Sequence, residues 1–362
     1  MKRILITGAG GTPALNFIRS LRLSNEPFYL IGVDSNQYYL ARAETDERHL
    51  VPRADEPDYI EVLQQIVRET GSQLVFAQPD VEIAVLSEHR SELGAMTFWP
   101  RHETILICQD KYAAYRVWRA AGLPVPETRL LKSPDDLDLF FEEFDEAWVR
   151  AKRGAAGRGA FYARSVQQAK MWIDLNDGWG SFTAAQYLSP TSVTWQSIWN
   201  RGELIVAQGR QRLYWEFADR SPSGVTGITG GGVTTSDEEL DDISRRAILA
   251  IDPEPHGVFS VDLTYDAGET PNLTEINIGR FFTTHLFFTA AGLNMPHILV
   301  RLAFDEPLPS LAGKLNPLPR GQVWIRGMDM EPVLTDESAI KSMSEALHAR
   351  RANLKSLRTT GN

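Results

Sequence analysis

Asp262, Glu275 and Asn277 carry the clearest chemistry in this chain. Asp262 stands in the apolar run Phe259-Ser-Val-Asp-Leu263, and the other two stand in Asn272-Leu-Thr-Glu-Ile-Asn-Ile278. Residues two apart in a strand point to one face, so Glu275 and Asn277 share it. If the runs pair as antiparallel strands through Tyr265-Asp-Ala-Gly-Glu-Thr-Pro271, all three oxygen-bearing side chains gather together. Hard divalent cations take carboxylate and amide oxygens, completed by water and phosphate. Taken alone, the pattern also describes a hairpin with a polar outer face.

Two further stretches bear on that choice. Trp148-Val-Arg-Ala reads as a strand entering the loop Lys152-Arg-Gly-Ala-Ala-Gly-Arg-Gly159. There the amides around Gly154, Gly157 and Gly159 lie unshielded beside cations, the combination that polyphosphate recognition requires. No Gly-Lys-Ser/Thr closes the loop, so it is not a Walker A sequence. Gln186-Tyr187-Leu188 ends a short apolar run, where strand backbone can hydrogen-bond a flat heterocycle. Loop, hinge and oxygen cluster are the parts needed to hold phosphates, adenine and magnesium.

The elements that must position these groups fall into two patterns. Strand-like and helical runs alternate from Ile4 to about residue 105 and predict an open parallel sheet. Its first turn carries Gly8, Gly10 and Gly11, but Ala14 and its neighbours stand where a dinucleotide fingerprint needs a further glycine. The expectation is a Rossmann-like fold without a dinucleotide, with Asp34 a strand-end residue. After residue 110 the pattern becomes α+β. Helices are expected over Asp110–Ala121, Ser165–Trp172, Asp237–Ala250 and Asn294–Ala303, and Ser133 is placed to cap another. Arg210 and Arg212 alternate on a strand, facing phosphates or a substrate acid, or else lying on an exposed face. Gly224–Thr235 reads as a flexible substrate-covering loop or a simple connection. The end of the chain reads as a surface helix and tail.

Composition narrows the classes. A chain of 362 residues with 43% hydrophobic and 23% charged residues makes roughly two or three globular domains. A net charge of -10 disfavours a nucleic-acid backbone binder. One cysteine, Cys108, excludes an intrachain disulfide framework and a cysteine metal cluster. No signal-peptide pattern or run of membrane-spanning length is evident, so a cytoplasmic protein without a membrane partner is expected.

On these motifs the sequence resembles the ATP-grasp enzymes over about residues 2–305, in the style of the carbamoyl-phosphate synthase large subunit and its biotin-carboxylase-like relatives. The resemblance implies an α/β Rossmann-like (pre-ATP-grasp) domain over 1–108, then a two-lobed α+β ATP-grasp fold. Its first lobe would span 109–185 and its second 186–305, with a C-terminal extension over 306–362. Gln109-Asp-Lys-Tyr-Ala-Ala-Tyr resembles the segment entering the first lobe and implies that Lys111 lies near the nucleotide. Arg150 is implied at the phosphates, Lys152 either there or turned to solvent from the loop, and Gln186, Tyr187 and Leu188 at the adenine edge. Asp262, Glu275 and Asn277 are implied to hold one or two magnesium ions, with Arg280 at the transferred phosphoryl group. Arg150 and Arg280 are thus the implied catalytic cations, with Arg280 otherwise a strand-end salt-bridge partner.

The implied activity is an ADP-forming ligase that activates a small carboxylate with ATP and joins it to an amine. Carbamoyl-phosphate or carboxyphosphate formation, or a non-catalytic Mg-ATP-binding module, are the alternatives. A homodimer is common among similar folds. The chain departs from the family pattern at Arg150-Ala151, where many relatives have Lys-Pro, and at Gln186, where glutamate is common. Pro190-Thr-Ser-Val-Thr-Trp195 lacks the acid that often binds ribose. His285 is open to two readings, a substrate-orienting group or a structural hydrogen bond.

Overall fold

A computed structural model describes residues 1–154, 159–327 and 333–338. Its first sheet is parallel, in the order β3-β2-β1-β4-β5. The strands are β1 (Lys2–Thr7), β2 (Phe28–Asp34), β3 (Glu47–Leu50), β4 (Leu74–Phe76) and β5 (Met96–Thr97). β1, β2 and β4 are covered on both faces, which is why they read as apolar runs rather than alternating ones. Phe17 of the helix Thr12–Arg22 stacks on Phe76 with ring centroids 3.9 Å apart.

The glycine turn after β1 is filled by the protein itself. A Cβ on Gly10 would lie 1.8 Å from the Tyr39 carbonyl oxygen, and Gly8 takes φ +58. The Gly10 N–H donates to Asp34 Oδ2 at 3.2 Å, and Arg42 Nε donates to the Gly10 carbonyl at 2.6 Å. Asp34 thus closes the end of its own strand against the turn.

The second sheet is antiparallel, in the order β6-β9-β7-β8: β6 (Thr128–Leu131), β7 (Ala147–Ala151), β8 (Phe161–Ala163) and β9 (Phe182–Ala185). Helices Pro134–Phe141 and Val166–Leu175 supply Leu137, Phe140 and Ile173 to a core of its own. Ser133 and Asp136 form a capping box at the first, and Ser165 caps the second.

The third sheet is antiparallel, ordered β14-β13-β10-β11-β12-β15-β16. Its strands are β10 (Ser192–Asn200), β11 (Glu203–Trp215), β12 (Thr229–Thr235), β13 (Gly257–Tyr265), β14 (Pro271–Ile278), β15 (Gln322–Ile325) and β16 (Val333–Asp336). The helix Glu238–Ile251, capped by Asp237, packs on it, and its Ala247 carbonyl accepts from Trp118 Nε1 at 3.0 Å.

The glycine-rich run Thr229–Thr235 corrects the loop expectation, because it is the buried strand β12. A Cβ on Gly230 would meet the Tyr214 ring at 2.1 Å, and one on Gly232 would meet Arg210 Cδ at 2.9 Å. These glycines give clearance to side chains from the neighbouring strand, a requirement that looks the same in sequence as flexibility. The surface helix and tail expected at the end of the chain lie outside the described residues.

Candidate functional site

The register of β13 and β14 sets Asp262 opposite Glu275 and Ser260 opposite Asn277, with a bulge immediately after Asp262. Asp262 Oδ1 accepts from the Thr194 hydroxyl at 2.5 Å, and its Oδ2 accepts from Asn277 Nδ2 at 3.0 Å. Burial pushes the Asp262 carboxyl above its ordinary range, and the negative charge of Glu275 pushes it the same way. Burial would also raise Glu275, but Lys111 and Arg150 outweigh it and hold that carboxyl below its usual value. Two carboxylates thus face each other with unequal proton affinity. A divalent cation between them would remove their repulsion.

The cations come from separate elements. Lys111 opens the helix Lys111–Ala120, where Asp110 caps the Tyr112 and Ala113 amides. Its Nζ lies 3.4 Å from Glu275 Oε2 and donates to the Gly154 carbonyl at 2.7 Å. Arg150 reaches from β7, with Nη1 3.5 Å from Glu275 Oε2 and Nη2 donating to the Thr274 carbonyl at 2.8 Å. Lys111, Arg150, Thr128, Thr183 and Leu273 line a narrow cleft between the second and third sheets.

Arg280 follows β14 and points back at the same cluster. Its Nε donates to Asp80 Oδ1 at 2.6 Å, and its Nη2 donates to Asp80 Oδ2 at 3.2 Å and to Asn277 Oδ1 at 2.6 Å. Burial opposes the charge of Arg280, but Asp80 prevails and its pKa lies above the ordinary value.

The remaining expected residues lie around this core. The Lys152 carbonyl accepts from the Lys111 N–H at 2.8 Å, and the Lys152 N–H donates to the Ser181 carbonyl at 2.9 Å. Gly154 and Gly159 take φ +134 and +75, while Gly157 lies outside the described residues. Gln186, Tyr187 and Leu188 leave the end of β9, one residue beyond the Ala185–Trp148 pairing. The Gln186 N–H donates to the Glu127 carbonyl at 2.8 Å, and the Tyr187 ring stacks on Tyr162 at 4.0 Å. Lys111, Arg150, Asp262, Glu275, Asn277 and Arg280 therefore form one connected group, and the hinge stands apart at the end of the second sheet.

His285 takes the structural reading. It is buried, its Nδ1 lies 2.8 Å from the Phe282 carbonyl, and burial pushes its pKa down to about 4. Sequence reasoning did not reach Asp80 or Thr194. Asp80 follows Gln78-Pro79 and begins a helix, a common place for an acid that reveals nothing about Arg280.

Among the described residues no group of three or more His, Cys, Asp or Glu side chains is placed to hold a metal ion. The donor set here is instead two carboxylates and the Asn277 amide. Magnesium, which keeps several waters and takes substrate phosphate oxygens, fits a set of that size.

Residues 4–98 match the family model described as PylC-like, N-terminal domain. No curated protein matches the chain by sequence. Solved structures match over most of its length. The biotin carboxylase domain dimer of Hydrogenobacter thermophilus 2-oxoglutarate carboxylase, in complex with MgADP, ADP and bicarbonate, superimposes with a TM-score of 0.70 at 16% identity. That match covers 90% of this chain and 74% of the other. N5-carboxyaminoimidazole synthetase from Staphylococcus aureus, complexed with ADP, gives 0.70 at 14% identity, covering 90% and 82%. Carboxyaminoimidazole ribonucleotide synthase from Aspergillus clavatus, complexed with ATP, gives 0.68 at 16%, covering 90% and 81%. The fold is therefore an N-terminal Rossmann-like domain followed by a two-lobed α+β ATP-grasp arrangement, as in the biotin carboxylases.

Proposed function

We propose that this chain uses Mg-ATP to phosphorylate a carboxyl-type oxyanion, with bicarbonate the first choice. The observation that carries the reading is the facing pair Asp262 and Glu275, with Lys111, Arg150 and Arg280 gathered against it. The choice of bicarbonate is supported by the similar Hydrogenobacter domain, whose structure holds MgADP and bicarbonate, and by the similar synthases, whose structures hold ADP or ATP.

In this reading an oxyanion oxygen attacks the γ-phosphorus of ATP. The bond from that phosphorus to the bridging oxygen breaks, ADP leaves, and a carboxyphosphate remains. An amine nitrogen then attacks the carboxyl carbon, phosphate leaves, and the nitrogen loses a proton. Lys111 and Arg150 are assigned to the phosphates and Arg280 to the phosphoryl group in transfer, where charge develops on the equatorial oxygens. Lys152, Gly154, Gly157 and Gly159 would cover the phosphates, and Gln186, Tyr187 and Leu188 would receive the adenine edge. Asp262, Glu275 and the Asn277 amide would hold magnesium, which when bound neutralises phosphate charge.

The carboxylate–amine ligase expected from the sequence shares this first step, with an organic acid in place of bicarbonate and an acyl phosphate in place of carboxyphosphate. The proposed division remains 1–108, 109–185, 186–305 and 306–362. A homodimer is proposed by analogy with the dimeric Hydrogenobacter domain.

A coupled ADP-release assay tests the function, with Mg-ATP against bicarbonate in one arm and pooled small carboxylates and amino acids in the other. Release that depends on bicarbonate supports the first choice, and release that depends on the organic pool moves the reading to the ligase. Mg-ATP binding with no release in either arm leaves the binding-module alternative.

A further inference from the structure

Arg210 and Arg212 stand two apart on β11, beside the candidate site, and the cluster described above does not use them. Arg210 is 2% exposed, and its stem runs across the clearance left by Gly232. Its Nη2 donates to the Thr194 hydroxyl at 2.7 Å, and its Nη1 to the hydroxyls of Thr229 at 3.2 Å and Thr284 at 3.4 Å. Its Nε is buried with no partner among the described residues. Arg212 donates to the Thr229 hydroxyl at 3.1 Å and to the Ser192 hydroxyl. The two guanidinium groups lie over the rings of Phe282 and Trp215, 4.7 and 3.6 Å from the centroids.

Every hydrogen bond the two guanidinium groups make among the described residues ends on a neutral hydroxyl. That is an unusual state for the buried guanidinium of Arg210. A charge taken out of water without a bonded counter-charge is costly, and the planar fork of arginine matches a carboxyl group. Burial, with the like charge of Arg212, pushes Arg210 down to about 9, against the pull of Asp262. The link to the facing carboxylates is direct, because the Thr194 hydroxyl donates to Asp262 and accepts from Arg210.

We propose that the Arg210–Arg212 pair seats the carboxyl-type oxyanion, bicarbonate or organic carboxylate, that the chain phosphorylates. This rests on the phosphoryl-transfer reading and places its acceptor one hydroxyl away from Asp262. The threonine and serine hydroxyls hold the guanidinium groups in place, and the unpartnered Nε supplies a donor that none of them satisfies.

The test uses the full chain with saturating Mg-AMP-PNP, monitored by thermal melting. Sodium bicarbonate is titrated in one arm and a pool of the twenty amino acids in the other, each against sodium chloride at equal ionic strength. Wild type should show a saturable rise in melting temperature in one arm, which names the source of the oxyanion. Arg212→Gln should need at least about tenfold more of that probe, a loss of about 1.4 kcal/mol, and Arg212→Lys should fall between the two. Both variants should keep the Mg-AMP-PNP shift, which reports that they fold and bind nucleotide. Unchanged half-saturation in both variants, or a nucleotide-bound wild type that responds to neither probe, overturns the proposal. Failure of wild type to bind Mg-AMP-PNP instead removes the phosphoryl-transfer reading beneath it.

Discussion

Arg280 grips both carboxylate oxygens of Asp80 across a sequence separation of 200 residues, with contacts of 2.6 and 3.2 Å. The contact ties the end of β14 to the helix that follows β4. It also orients Asn277, whose Oδ1 accepts from Arg280 while its Nδ2 donates to Asp262. An acid in the parallel-sheet domain therefore sets which end of an amide faces the candidate metal carboxylate.

Asp80→Asn keeps the shape and removes the charge. It leaves Arg280, mostly enclosed, without its carboxylate, so stability should fall by about 1.5–3 kcal/mol, the value of a hydrogen bond to a charged group. Urea unfolding measures this directly. ADP release should fall as well, because Arg280, assigned to the phosphoryl group, loses the carboxylate that positions it. A variant that unfolds at the wild-type urea midpoint would show that the tie contributes nothing.

Glu82 gives a pH dependence separate from the site. It is 7% exposed, and its Oε2 is buried without a partner among the described residues. Burial, reinforced by the charge of Asp34, raises its pKa from 4.5 to about 7. A raised folded-state value means that this contribution to stability is fully present below about pH 4.5 and is lost as pH rises through about 7. Glu82→Gln should remove that loss and gain on the order of 3 kcal/mol over wild type at pH 8, but little at pH 4.5. Paired urea titrations at the two pH values check it, and a constant difference between the proteins contradicts it.

What the sequence could disclose follows from how local each feature is. Glu275 and Asn277 are two apart in one strand, so their shared face follows from strand geometry alone. Asp262 joins them through a short hairpin, and the apolar pattern and turn residues together specify that register. Arg280 could be read as a basic residue near the cluster, but its partner Asp80 lies in another domain and leaves no local mark. The glycines of β12 misled for a different reason. Their role is to clear space for Tyr214 and Arg210 on the adjacent strand, and only the sheet order shows which side chains need it. The hydroxyl ring around Arg210 comes from β10, β12 and the segment after β14, and was hidden in the same way.

Gly10 tests the reading of the first turn. Gly10→Ala drives a methyl group into the Tyr39 carbonyl and should cost about 1–3 kcal/mol, as overpacking does. Nucleotide affinity of the folded fraction should stay at the wild-type value, because Gly10 lies in the parallel-sheet domain and already gives its N–H to Asp34. Thermal melting and Mg-ATP titration separate the two effects. A stable variant with weakened nucleotide binding would instead place the nucleotide on this turn.

Glu275 and Asp262 should respond in opposite ways to loss of charge. Glu275 is held ionised by Lys111 and Arg150, so Glu275→Gln leaves two half-buried cations without their carboxylate and should lower the melting temperature. Asp262 is held up by burial and by Glu275, so its charge opposes folding at neutral pH. Asp262→Asn should therefore melt no lower than wild type. Both variants should lose at least about a hundredfold in ADP release, or about 2.7 kcal/mol of transition-state stabilisation, because both carboxylates are assigned to magnesium. A protein that gains stability as it loses activity is the mark of a charge kept for function against the preference of the fold. If Asp262→Asn melts well below wild type, its carboxylate is a structural partner of Thr194 and Asn277, and the metal assignment fails at that residue.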